Sequence, residues 1–188
     1  MRLTIVGCSG SYPGPDSPAS CYLLEHDGHR ILLDMGNGSV GALHRYGDPY
    51  DLDAILISHL HVDHCIDLTS YYVMRTWHPD GAHPCLPVYG PAGTQERMLA
   101  AYDMGPKQSM HGRFEFIDHR VTTEIGPFRI TTARVDHVVT AYGFRVEAGG
   151  RTLVYSGDTA PTPALVDLAN GADLALFEAA FLSGRDNP

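Results

Sequence analysis

The sequence has no long apolar run. No stretch of its 188 residues approaches the length of a bilayer span, and Met1-Arg2-Leu3-Thr4-Ile5-Val6-Gly7-Cys8 lacks the extended apolar core of a signal peptide. Both absences point to a soluble, cytoplasmic protein. Cysteine is sparse too: Cys8, Cys21, Cys65 and Cys85 are scattered with no Cys-x-x-Cys pair, which argues against a thiolate zinc knuckle. They read as small apolar fillers, although Cys65, directly after His64, could line a metal pocket. Positive charge is short. Thirteen Lys and Arg against 22 Asp and Glu leave a net charge of -9, so there is no general attraction to tRNA or DNA. No repeat or low-complexity segment is visible. The 20 Gly and 13 Pro are dispersed as turn punctuation, which suits one globular domain over residues 1–188.

What is present alternates in character. Residues 2–8, 21–25 and 30–34 read as strands, the last two joined across the turn pair Asp27-Gly28. Asp53-Ala54-Ile55-Leu56-Ile57-Ser58 is a nearly continuous apolar run, the mark of a strand covered on both faces. Residues 65–77 suit a helix packed on a sheet, and a second helix runs through 95–102, stopping by Gly105-Pro106. A third spans 163–170, with Thr162 as N-cap, Pro163 at its first position and Gly171 as terminator. Strands are also expected over 114–118, 128–135, 142–147 and 151–155, with a turn at Ala148-Gly149-Gly150 and a final apolar run over 172–177. Hairpins first, helices inserted and strands again favour an α/β sandwich with a mixed sheet over a regular doubly wound sheet.

The chemistry concentrates in Ser58-His59-Leu60-His61-Val62-Asp63-His64. His59 and His61 are two apart, so an extended backbone sends both imidazoles to the same side, within reach of one cation. Asp63 and His64 follow where strand gives way to helix, and that change of direction turns them toward a second position. Imidazole nitrogen and carboxylate oxygen suit zinc and similar metals. His137 and Asp158 each follow a strand, the places where α/β folds carry active sites. Alone, Asp158 in Ser156-Gly157-Asp158-Thr159 is ordinary turn chemistry; convergence with the histidine run gives it meaning.

That run, with His137 and Tyr155-Ser156-Gly157-Asp158-Thr159, resembles the metallo-β-lactamase superfamily. The resemblance implies an αββα sandwich and a two-metal site. In it His59, His61 and His137 hold the first metal, Asp63 and His64 the second, and Asp158 bridges them. Asp34, closing Ile31-Leu32-Leu33-Asp34, matches the acid that orients a ligand histidine. The metals implied are two divalent ions, zinc first, with manganese or iron as alternatives.

Gly7-Cys8-Ser9-Gly10-Ser11 and the segment Gly14 to Ser20 are similar to ribonuclease Z-like phosphodiesterases and, more narrowly, to bacterial cyclic-nucleotide phosphodiesterases of this fold. The resemblance then implies hydrolysis of a small, cyclic-nucleotide-type phosphodiester by a hydroxide shared between two metals, with Asp63 orienting or deprotonating the nucleophile. Ribonuclease Z proper carries His-Glu-Ala-Thr where this chain has Phe177-Glu178-Ala179-Ala180, and its long basic arm is not evident. tRNA is therefore the lesser expectation as partner, and Glu178 is the one candidate in hand for orienting the general acid. The family's pattern continues past this point with a histidine completing the second metal, so the chain reads as a fragment ending in loop-like sequence at Pro188. Related enzymes are often homodimers. Lactone, thioester or β-lactam hydrolysis, and a non-catalytic metal-binding module, are the rival readings.

Overall fold

A computed structural model describes residues 1–81, 83–105 and 107–179. Two sheets organise them. In the first, β1 (Arg2–Gly7), β2 (Cys21–His26) and β3 (His29–Leu33) are antiparallel neighbours, followed by parallel β4 (Ala54–Leu56), β5 (Leu86–Gly90) and β6 (Phe114–Asp118). The second places β7 (Thr122–Ile125), β8 (Phe128–Val135), β9 (Ala141–Ala148) and β10 (Arg151–Tyr155) antiparallel, with β11 (Leu174–Leu176) parallel to β10. Both hairpins expected from short turn pairs form. Asp27 and Gly28 have φ of 49 and 79°, and Gly149 and Gly150 have 58 and 69°, the doubly left-handed backbone that matches strand twist.

Alternation along the central strands sorts two cores. Leu24, Ile31, Leu33, Ala54 and Leu56 face the second sheet and pack on Phe128, Ile130, Phe144, Val146 and Leu153. Their neighbours Leu23, Leu32 and Ile55 face the other way, against α1 (Ser39–Leu43), α3 (Asp67–Thr76) and α4 (Thr94–Ala101), which contribute Leu43, Leu68, Tyr71 and Met98. Each fully buried side chain of this kind contributes about 1.5–3 kcal/mol. On the far face of the second sheet lies α5 (Pro163–Ala169), tied down where Arg145 on β9 donates to the carbonyls of Leu168 and Asn170 at 2.8 and 2.9 Å. The result is the four-layer αββα sandwich with mixed sheets.

Local differences from the sequence expectations have physical causes. The helix expected over 65–77 is two helices, α2 (Val62–Cys65) and α3, because the Asp67 N–H leaves the helical ladder to bond the Met35 carbonyl at 3.1 Å. Regular β4 stops at Leu56, yet its neighbours stay paired, Ile57 N–H to the Tyr89 carbonyl at 2.8 Å and the Ser58 carbonyl to Tyr142 N–H at 3.0 Å. Thr162 precedes α5 with extended backbone, but its side chain makes no capping bond. The short α1 and strands β5 and β7 carry too little periodicity to announce themselves. Pro106, Ala180 and Pro188 lie outside the described residues. No helix among those described is long and apolar enough to cross a membrane.

Candidate metal centre

Strand ends build the site. The β4 segment delivers His59 and His61, His137 follows β8, and Asp158 follows β10, so four side chains from three distant segments meet at one rim of the sandwich. His59 Nε2 and His137 Nε2 each lie 3.1 Å from His61 Nδ1. Asp158 Oδ2 is 3.8 Å from His59 Nε2, and its other oxygen, Oδ1, is 3.2 Å from His64 Nε2. Asp63 Oδ2 completes the second set, 3.6 Å from the same His64 nitrogen. Two groups result, His59, His61, His137 and Asp158, and Asp63, His64 and Asp158, their ligand atoms within 4.8 Å of one another in each. Asp158 belongs to both.

Behind this front lies a buried carboxylate. Asp34, 0% exposed at the exit of β3, accepts four hydrogen bonds: from Ser58 N–H at 2.6 Å, Ser58 Oγ at 2.7 Å, His64 Nδ1 at 2.7 Å and Tyr155 Oη at 2.6 Å. Since Asp34 takes the Nδ1–H of His64, the opposite nitrogen is aimed at the cluster. Ser58 repeats the device: its hydroxyl donates to Asp34 and accepts from His59 Nδ1–H at 3.0 Å, leaving His59 Nε2 facing His61. The backbone fixes the remainder. Met35 N–H bonds the His64 carbonyl at 2.7 Å, and a Cβ on Gly36 would run into the Asp63 carbonyl, so only glycine lets β3 and α2 approach this closely.

The electrostatics of the two sets differ. Burial, reinforced by the neighbouring His64, pushes His59 down to about 3, and burial with His137 also lowers His61. Those rings are neutral. Burial would lower His64 as well, but Asp34 and Asp158 outweigh it and push His64 up to about 10. Burial works against ionisation of Asp158, and the hydrogen bond and charge of His64 reverse this, lowering its carboxyl.

These residues fit divalent metal. Two nitrogens bound tetrahedrally to one zinc at about 2.0–2.1 Å lie about 3.3 Å apart, close to the 3.1 Å between the imidazole nitrogens. Three imidazole nitrogens turned on one point, two of them on neutral rings, offer a cation a ready set of donors. In the second set, Asp63, His64 and Asp158 supply, among the described residues, three donors of the same N/O chemistry.

Beside the cluster opens a cleft of about 800 Å³, whose walls include Ser9, Ser11, Tyr22, Asp63, His64, Asp158, Phe177 and Glu178. Glu178 reaches the turn that holds Asp158: its carboxylate accepts from Thr159 N–H, and its own N–H donates to Ser156 Oγ at 3.1 Å. Cys65 stays out of both groups. Its buried thiol donates to the His61 carbonyl at 3.2 Å, and burial pushes it up to about 12, the state of an inert filler. Tyr71 is core against Phe114, while Trp77 is 78% exposed. Two supporting residues have no role that the sequence announces: Tyr155, which there is only part of a strand-and-turn motif, and His119, which belongs to no motif; both make their contacts at long range.

An αββα sandwich carrying two donor sets linked by one carboxylate is the architecture of a metallo-hydrolase. The family model described as "Beta-lactamase superfamily domain" matches residues 29–187, and the chain belongs to that superfamily. The uncharacterized protein ML1173 of Mycobacterium leprae (strain TN) is 41% identical over 195 residues, a match covering all of this chain and 68% of that protein. The probable metallo-hydrolase YhfI of Bacillus subtilis (strain 168) is 30% identical over 190 residues, covering 99% of this chain and 75% of the relative. Its crystal structure superposes with a TM-score of 0.85 at 28% identity, covering 98% of this chain and 74% of that one. Ribonuclease Z of Mycobacterium marinum (strain ATCC BAA-535 / M) is 33% identical over 190 residues, covering 92% of this chain and 68% of the enzyme.

Proposed function

We propose that this protein is a metal-dependent phosphodiesterase acting on a small nucleotide-type phosphodiester, cyclic forms included, with two divalent ions, zinc or else manganese or iron, held by the two donor sets. The observation that carries the reading is Asp158, whose two oxygens face the two sets beside one open cleft. Paired positive centres of that kind suit a phosphoryl group, which offers oxygens to both. At about 800 Å³ the cleft lies within the range of small-ligand pockets. A 33% identical relative named ribonuclease Z supports cleavage of a phosphodiester, while the net charge of -9 favours a small substrate over a folded RNA.

When bound, the metals would supply Lewis-acid stabilisation of the phosphoryl oxygens and lower the pKa of water. The chain's own residues arrange the rest. Asp63, at the cleft wall, accepts a proton from the incoming water or orients it, and Asp34 holds His64 with Nε2 forward. Glu178 steadies the Asp158 turn through Thr159 and stands ready to orient an acid for the leaving oxygen. Turnover of bis(p-nitrophenyl) phosphate and cyclic AMP, compared with a precursor tRNA and with lactone, thioester and β-lactam substrates, tests this. Metal-dependent hydrolysis of the two small phosphodiesters is expected; activity confined to carbonyl substrates would overturn it. Preference for precursor tRNA would favour the second reading, ribonuclease Z activity, which the relative of that name keeps in play.

A further inference from the structure

Ile57 and Ser58 have all four backbone polar groups held. Ile57 N–H goes to the Tyr89 carbonyl at 2.8 Å, Ser58 N–H to Asp34 at 2.6 Å, and the Ser58 carbonyl receives Tyr142 N–H at 3.0 Å. The fourth group, the Ile57 carbonyl, is held by a side chain. His119, just past the end of β6 and 62 residues on in sequence, donates its Nε2–H to that carbonyl at 2.8 Å. The ring does not swing freely: Tyr142 and Phe144 on β9 pack against it with centroids 4.9 and 5.2 Å away, and the backbone N–H of His119 bonds the Gly90 carbonyl at 3.0 Å. His119 thus spans from the last strand of the first sheet, beneath the rim, to the second sheet.

We infer that His119 is a positioning residue: its bond to the Ile57 carbonyl sets the height and angle at which the β4 segment presents His59 and His61 to a metal ion. The lever is short. Ile57 is two residues from His59, and the ligand atoms of the first set must converge within about half an ångström for tight binding. Loss of the bond leaves the Ile57 carbonyl without its partner, and the segment then slides along the remaining three bonds. The inference rests on the metal-site reading above and is independent of the substrate.

The test compares His119→Phe, which keeps an aromatic ring against Tyr142 and Phe144 but has no donor, with His119→Gln, which keeps one. Zinc affinity of the first site is read by competition with a chromophoric chelator, and geometry by the visible spectrum of the cobalt-substituted protein. His119→Phe should bind zinc about tenfold or more weakly and shift the cobalt bands, and His119→Gln should restore both. An inter-sheet variant, Ile130→Val, serves as a control for stability loss and should leave affinity and spectrum unchanged. Native affinity and spectrum in a folded His119→Phe would overturn the inference, as would equal weakening in Ile130→Val. If His119→Phe does not fold, His119→Leu, which also lacks a donor, takes its place: a tenfold loss that His119→Gln restores supports the role, and native affinity and spectrum overturn it. Wild-type protein that binds no zinc would instead refute the metal-site reading itself.

Discussion

The two donor sets share Asp158 but solve opposite problems. In the first, burial and the neighbouring imidazoles outweigh the pull of nearby carboxylates, Asp158 among them, and keep His59 and His61 neutral and ready for a cation. The second surrounds one imidazole with Asp34, Asp63 and Asp158, and the carboxylates favour its protonated form. One rim thus carries neutral imidazoles and a carboxylate-paired one side by side. A metal entering the first finds lone pairs waiting; one entering the second must displace a proton.

Removing the shared ligand should break the comparison most severely. Asp158→Ala takes an oxygen from each set, and loss of metal-dependent hydrolysis together with a fall in zinc content from two ions is expected, beyond the roughly 100-fold that outer partners control. Elemental analysis and phosphodiester turnover at wild-type levels would show that Asp158 joins nothing. Asp34→Asn acts unequally on the two sets: His64 loses its charged partner directly, whereas His59 is reached only through Ser58. Zinc affinity should fall about 10–100-fold at the second set and by less at the first. Uniform weakening at both, measured by chelator competition, would contradict the division drawn here.

The smallest effect is the most diagnostic. At pH 8 His64, pushed up to about 10, still carries its proton, whereas His59, pushed down to about 3, does not. Zinc binding at that pH should release about one proton at the second set and almost none from His59 or His61 at the first. Calorimetric titration in buffers of differing ionisation enthalpy reads the difference. Proton release falls away as pH rises through 10, and equal release at both sites at pH 8 would remove the electrostatic distinction.

Much of this was legible in the sequence because it is local. The pairs Asp27-Gly28 and Gly149-Gly150 specify their hairpins within two residues, and the apolar run before His59 marks both a buried strand and the place where its ligands emerge. The positions of His137 and Asp158 after strands were readable for the same reason, and so was Asp34 through the motif that ends β3. The supports were not. Tyr155 meets Asp34 across 121 residues, and His119 meets Ile57 across 62, pairings fixed only when two sheets close on each other. Likewise, nothing within residues 65–77 announces the break at Ile66, since the competing acceptor, the Met35 carbonyl, belongs to another element.

That competing acceptor has a wider consequence. Met35 gives its N–H to His64 and receives the N–H of Asp67, while Gly36 lies against the Asp63 carbonyl, so the exit of β3 and the first turn of α2 share one backbone lattice. Asp34 and His64 ride on its two halves. They therefore form a single opening unit: a fluctuation that frees the helix also releases the carboxylate that keeps His64 charged, and the second set is lost in one event rather than ligand by ligand.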